Sequence, residues 1–267
     1  MTAIAGARAA SVAVLGASGR MGRAVVRLAH EAGLQVVLAV AASEHGRDAG
    51  ELAGIGAIGA VVTGDARALA GSGAQVVIDF SAPAALIEAA AICASAGIAI
   101  VSGTTGLDDA AKAALDDAAK RCAVLWEPNM SVGVHVLSRL VAQALAALGP
   151  SFDVEVVETH HRAKVDAPSG TAICLGDVVK NARSGRYVNG REGRPGARQP
   201  DEIGMHAVRG GDVIGDHTVF FFGEGERLEL THRASNRDLF AHGAVRAAGW
   251  IAGKAPGRYQ LADLVGG

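Results

Sequence analysis

Four side chains able to carry positive charge, His160, His161, Arg162 and Lys164, fall within one five-residue window directly after the apolar run Val154–Val157. Pro168-Ser169-Gly170-Thr171 follows at once and reads as the opening of a helix. Cationic side chains beside a helix N-terminus make a site for a small anion, because unpaired N–H groups and the helix dipole both favour negative charge there. Histidine, and a lysine in a perturbing environment, also exchange protons near neutral pH. A second candidate lies near the other end of the chain, where Gly16-Ala17-Ser18-Gly19-Arg20-Met21-Gly22 follows the apolar run Ser11–Leu15. Together the two motifs imply an enzyme that joins a nucleotide cofactor to a carboxylate substrate.

The glycine spacing is GxxGxxG and not GxGxxG, so its placement says more than its letters. A strand, a tight turn and a helix let the backbone approach a pyrophosphate at the helix N-terminus. Arg20 adds a candidate phosphate contact; the bland alternative is a glycine turn that only packs a strand on a helix. An acidic residue ending the second strand would bind the adenosine ribose. That place reads Val40-Ala41-Ala42-Ser43, with Glu44 late and no arginine beside it, so NAD and NADP both stay open. Three more strand ends carry small polar or cyclic residues: Phe80-Ser81, Gly103-Thr104-Thr105 and Pro128-Asn129-Met130. Open parallel sheets bind ligands at such ends, which suits contact with a nicotinamide. Asp79 reads as a structural turn or cap residue.

The elements that must position these residues follow from hydrophobic patterning. Ser11–Leu15, Gln35–Ala41, Gln75–Phe80, Ile98–Ser102 and Ala123–Glu127 are strand candidates, alternating with helices that include Ala82–Ala96 and Asp108–Arg121. Continuous apolar strands between helices predict an α/β fold with a doubly wound parallel sheet. Gly46–Gly64 is glycine-rich and reads as irregular. After Asn129 the texture changes. A helix to Leu148, capped by Ser131, precedes strands at Asp153–His161, Ile203–Val208, His217–Phe222 and Glu226–His232, predicting an antiparallel or mixed sheet. Ser184–Pro200 reads as a long surface loop, Leu239–Ala252 as a final helix, and the rest as a short tail. The first ten residues read as a loose extension.

Half the residues are hydrophobic and only 4% aromatic, so the core is built mainly from Ala, Val, Leu and Ile. A net charge of −2 argues against general attraction to nucleic acid or an acidic membrane, and no apolar run approaches a membrane span. Cys93, Cys122 and Cys174 show no ligand spacing and read as buried reduced thiols, which fits a cytoplasmic location. His160 and His161 are neighbours and point to opposite faces of a strand, which argues against a shared metal. The other histidines show no metal spacing either, so no metal is expected.

In these segments the chain resembles the 4-hydroxy-tetrahydrodipicolinate reductase (dihydrodipicolinate reductase) family. The resemblance rests on Gly16–Gly22, Gly103-Thr-Thr-Gly106, Asn129-Met-Ser-Val-Gly133, Glu158-Thr-His-His-Arg162 with Lys164–Thr171, and Arg209-Gly-Gly-Asp212, in family order over most of the chain. It implies a Rossmann-like dinucleotide-binding domain (1–130 plus 241–267) and a second α+β domain (131–240) for substrate binding and tetramerisation. It implies NADH- or NADPH-dependent reduction of a cyclic imine dicarboxylate, formed from pyruvate and aspartate semialdehyde, with loss of water, in lysine and diaminopimelate biosynthesis. By motif, Gly16, Ala17, Ser18, Gly19, Arg20, Met21, Gly103, Thr104, Thr105, Glu127, Pro128, Asn129 and Met130 would meet the cofactor. His160 would be the proton donor and acceptor, Lys164 the second proton donor, and His161, Gly170 and Thr171 would hold substrate. Two positions depart from the family pattern. Ala163 stands where another histidine is common, and Ala41 and Ala42 replace a Glu-Arg pair at the adenosine ribose.

Overall fold

The computed structural model describes residues 10–266. In chain order the first elements are β1 (Ser11–Leu15), α1 (Arg20–Glu31), β2 (Gln35–Val40), α2 (Ala49–Ala53), β3 (Val62–Thr63), a 3₁₀ turn (Ala66–Gly71), β4 (Val76–Asp79), α3 (Pro83–Ala96), β5 (Ala99–Ser102), α4 (Asp109–Ala119) and β6 (Ala123–Trp126). Then come α5 (Val132–Leu148), β7 (Asp153–His160), α6 (Gly170–Arg183), β8 (Arg186–Asn189), β9 (Glu202–Arg209), β10 (Gly215–Phe222) and β11 (Arg227–Ala234). The last are α7 (Asp238–Ile251), β12 (Gly257–Tyr259) and α8 (Leu261–Gly266). Contacts divide the chain into two units, one running to Ser131 and resuming at Asp238, the other Val132–Arg237.

The first unit is a seven-stranded sheet in the order β12-β6-β5-β4-β1-β2-β3, and every strand pair in it is parallel. Val12, Val14, Val76, Ile78, Val101 and Val124 are fully buried, as expected of strands covered on both faces. The strand order reverses between β1 and β4, which makes their C-terminal ends the switch point of the sheet. Helix α7 packs on α1 and on strands of this sheet. Arg27 on α1 donates to Asp238 at its start, at 2.5 Å. Gly243 is required there, since a Cβ would stand 1.8 Å from the Met130 carbonyl oxygen.

Several sequence expectations need correction in this unit. The segment read as irregular, Gly46–Gly64, contains α2 and β3, organised by Asp48, whose carboxylate accepts from the N–H groups of Gly50, Glu51, Ile58 and Gly59. The short tail is strand β12, in register with β6, followed by α8, whose Leu261 is buried. Three residues between Gly253 and Gln260 are too few to show a period in sequence. Residues 1–9 of the expected extension lie outside the described residues, while Ala10 is buried and its carbonyl accepts from Gln35 N–H.

The second unit holds a mixed five-stranded sheet, β11-β10-β7-β9-β8. β7/β9 and β8/β9 run parallel, and β10 is antiparallel to both β7 and β11. Val154, Val156, Ile203, Met205, Val219 and Phe221 bury one face against Leu137 and Val141 of α5 and Leu175 and Val179 of α6. Alternation turns Val157, Thr159, Thr218, Phe220 and Phe222 to the other face. The expected loop Ser184–Pro200 is corrected too, because it contains β8 and is clamped to the sheet. Arg191 donates to both oxygens of Glu155 at 2.8 and 2.9 Å, and Arg198 donates to one of them at 2.9 Å. Burial alone would raise the pKa of Glu155, but Arg191, His206 and Arg198 bring it down to about 2.

Cys93 and Cys122 are buried, and burial pushes their thiols up to about 12 and about 11. Cys174 is exposed, against expectation, because α6 turns Ala172, Leu175 and Val179 inward and leaves that position outside. Among the described residues no helix is long and apolar enough to cross a membrane, and no group of three metal-ligating side chains is assembled.

Candidate active site

The glycine turn sits at the switch point of the first sheet. Gly16 has φ +83, and a Cβ there would lie 2.3 Å from the Phe80 carbonyl oxygen, so β1 and β4 close on each other only through glycine. Gly22 lets α1 press on the turn, since its Cβ would stand 2.1 Å from the Gly16 carbonyl oxygen. Gly19 is the N-cap of α1 and has no side chain to cap it. The first N–H groups of an α-helix have no partner inside the helix. An open N-terminus framed by backbone fits the pyrophosphate of a dinucleotide. Arg20 is exposed beside it, and the Ser18 hydroxyl lies 3.1 Å from that of Ser43 at the end of β2. Glu44, with φ +65, pairs with Arg47 at 2.9 Å.

The ends of β4 and β5 are joined by a carboxylate. Asp79 is fully buried and accepts from Ser81 Oγ (2.5 Å), Ser102 Oγ (2.6 Å) and Thr104 Oγ1 (2.7 Å). Burial outweighs those hydrogen bonds and raises its pKa. Asp79 thus ties together the turns that carry Phe80 and Gly103. Phe80 covers Gly103 so closely that a Cβ there would lie 2.3 Å from the ring. Thr104 has its hydroxyl on Asp79 and its carbonyl on Trp126 Nε1 (2.9 Å), leaving Thr105 as the exposed member of the pair. After β6, Glu127 accepts from Leu261 N–H at 3.2 Å and Asn129 Oδ1 from Ser131 N–H at 2.9 Å. Pro128 is exposed and Met130 is buried.

In the second unit the charged segment forms a turn between β7 and α6. Glu158 and His160 are two apart on β7, which puts both on the face that meets α6. Glu158 is almost fully buried and is met by four donors. Arg209 donates to both its oxygens at 2.8 Å, Ser169 N–H donates at 3.1 Å, and His160 Nδ1 lies 2.5 Å away. Burial opposes its charge, yet Arg209 and His160 hold its pKa below the ordinary value. An ionised carboxylate only accepts, so the Nδ1 proton belongs to His160, and Nε2 is the atom that exchanges. Gly215 on β10 makes room for that atom, since a Cβ there would stand 2.9 Å from it. Lys164 pairs with Asp166 at 2.9 Å, and its N–H donates to the His161 carbonyl. Ser169 caps α6 by accepting from Ala172 N–H at 3.2 Å, and Gly170 and Thr171 open the helix.

Two family profiles match the chain: "Dihydrodipicolinate reductase, N-terminus" over residues 10–130 and "Dihydrodipicolinate reductase, C-terminus" over residues 133–265. The 4-hydroxy-tetrahydrodipicolinate reductase of Anaeromyxobacter sp. (strain Fw109-5) is 52% identical over 263 residues, 96% of this chain and 97% of that protein. The 4-hydroxy-tetrahydrodipicolinate reductase of Acinetobacter baumannii (strain AYE) is 47% identical over 262 residues, 96% of each chain. A dipicolinate-bound dihydrodipicolinate reductase from Paenisporosarcina sp. TG-14 superposes with a TM-score of 0.77 at 25% identity, covering 95% of this chain and 98% of that one. The chain belongs to the dihydrodipicolinate reductase family.

Within this reductase fold, Gly16, Ala17, Ser18, Gly19, Arg20 and Met21 form one turn and helix start, with Gly103 and Thr104 drawn to Asp79 in the same unit. The side chains of Thr104 and Met130 turn inward, so what they offer a ligand is backbone. His160, Gly170 and Thr171 are gathered around Glu158 and Ser169, whereas His161 diverges from His160 and is half-buried. Sequence reasoning placed Ser169 at the helix opening but missed the roles of Glu158, Arg209 and His217. Glu158 had a signal, the spacing of two before His160. His217 had none, because it reaches this place only through the antiparallel pairing of β10 with β7, opposite Glu158.

Proposed function

We propose that this chain reduces 4-hydroxy-tetrahydrodipicolinate to tetrahydrodipicolinate with NAD(P)H and loss of water, in the route to diaminopimelate and lysine. The observation that carries the reading is the Glu158–His160 pair, locked beneath the capped start of α6. The bound dinucleotide supplies a hydride. The glycine turn, Arg20 and the strand-end segments Gly103–Thr105 and Glu127–Met130 are assigned to holding it. Gly170 and Thr171 N–H groups and His161 are assigned to the substrate's carboxylates, which such donors suit. The dipicolinate carried by the Paenisporosarcina relative is a planar dicarboxylate and supports that assignment.

Hydride addition to a conjugated imine leaves negative charge that must be protonated. His160 Nε2, with its ring aligned by Glu158, serves as the proton donor and acceptor, and Lys164 as the second donor. A positioned acid of this kind contributes roughly 10²–10⁴-fold. In the free enzyme Lys164 Nζ pairs with Asp166 at 2.9 Å.

We also propose a cytoplasmic homotetramer. Its support is the second sheet's uncovered face, where Val208 and Phe222 are 48% and 38% exposed. Light scattering is expected to give four chains per particle, and a monomer at working concentration would overturn that assembly. The activity is tested with pyruvate, aspartate semialdehyde and the preceding synthase, supplying NADH and NADPH separately. Synthase-dependent oxidation is expected. A folded chain that binds either cofactor without oxidising it would move the reading to another substrate or to a dinucleotide sensor.

A further inference from the structure

His217 has no place in the chemistry above, yet it lies beneath it. Its ring is 3% exposed and stands edge-on to His160 with centroids 5.2 Å apart. Its Nε2 lies 3.2 Å from Ser169 Oγ, the same atom that accepts from Ala172 N–H at 3.2 Å. Its Nδ1 is buried with no partner among the described residues. Burial holds this imidazole neutral, with a pKa lowered to about 4, aided by His160 and opposed by Glu158.

A neutral imidazole has one N–H, and the surroundings decide where it sits. On Nδ1 it would be an orphaned buried donor, a rare and costly state; an unused lone pair costs less. The proton therefore sits on Nε2, and His217 donates to Ser169. A hydroxyl has two acceptor sites and one donor. With Ala172 and His217 filling the acceptor sites, the Ser169 O–H is left to donate, at the start of the helix that also offers Gly170 and Thr171.

We propose that His217 is a positioning residue, which fixes the Ser169 hydroxyl as a hydrogen-bond donor to a substrate carboxylate. The inference rests on the dicarboxylate reading of this site. Removing His217 frees Ser169 Oγ to turn, so the helix start loses a directed donor while keeping its N–H groups.

The test is a double-mutant cycle on the full chain, reading pyridine-2,6-dicarboxylate affinity by calorimetry at saturating NADH. His217→Leu and Ser169→Ala are each expected to weaken binding about 10-fold, the loss of one hydrogen bond to a charged group. The double variant should be no weaker than Ser169→Ala alone, because His217 acts through that hydroxyl. His217→Asn, which keeps an N–H donor, should recover much of the loss, and NADH affinity should not change. Additive losses in the double variant, or unchanged dicarboxylate affinity in His217→Leu, would overturn the proposal. His217→Phe carries the same cycle if the leucine variant does not fold. Wild-type protein that binds no dicarboxylate would overturn the site reading itself, whereas wild-type binding with additive variants defeats only the role of His217.

Discussion

Two helix N-termini are the ligand sites proposed above, and they are built in opposite ways. The start of α1 has Gly19 for a cap and glycines on both sides, so it offers bare backbone N–H groups in a turn where Phe80 and Gly16 leave no space for a Cβ. The start of α6 has Ser169 for a cap, with Glu158, His160, Arg209 and His217 packed under it. The first is made by removing side chains, the second by burying ionisable ones around the paired carboxylate of Glu158. Removal yields a shape that suits any pyrophosphate. Buried charge yields a site with a fixed proton inventory, and that is where one reaction is distinguished from another.

Breaking the second site should cost the most turnover. Lys164→Ala is expected to lower kcat by about 10²–10⁴-fold with NADH affinity nearly intact; equal loss of cofactor binding would place the lysine in the other site. Breaking the first should act on affinity instead. Gly16→Val must relieve a 2.3 Å approach to Phe80 and a positive φ. We expect NADH affinity to fall at least about 100-fold, alongside a stability loss of roughly 2–3 kcal/mol. Unchanged NADH titration would mean the turn only packs strand on helix. His160→Gln should give a smaller loss, about 10- to 100-fold in kcat, with a changed pH–rate profile; identical kinetics would remove it from acid–base work.

The smallest effect concerns acid stability of the second unit. His217 titrates at about 4 when folded against an ordinary 6.5, and Glu155 at about 2 against 4.5. In both windows the unfolded chain binds more protons, so stability falls as pH falls, first from 6.5 toward 4 and then from 4.5 toward 2. His217→Leu should flatten the upper window of a melting-temperature profile and leave the lower one, a difference of roughly 5 °C. A profile that keeps its upper slope would contradict the buried neutral imidazole.

The first sheet was legible in the sequence because its strands are continuous apolar runs bounded by turns. Ser11–Leu15 needs no tertiary information. Strand β12 was not legible, since its three residues, Gly257–Tyr259 after Pro256, are strand only because β6 offers them an edge. The clamp over Glu155 was hidden for a similar reason. Arg191 and Arg198 read as loop charges until β9 brings Gly204 opposite the carboxylate. In the site, the residues that touch ligands in this reading came from contiguous motifs, while Arg209 and His217 came from strand register over long separations. Cys174 shows the converse limit, since composition suggested burial and helix phase decided against it.

The division between the two helix starts is tested most directly by a crossed titration. NADH and pyridine-2,6-dicarboxylate affinities would be measured for wild type, Gly16→Val and Lys164→Ala. The expected pattern is diagonal: Gly16→Val loses NADH alone, and Lys164→Ala weakens the dicarboxylate with NADH unchanged. Loss of both ligands in either folded variant, or of neither in both, would contradict two separately built sites.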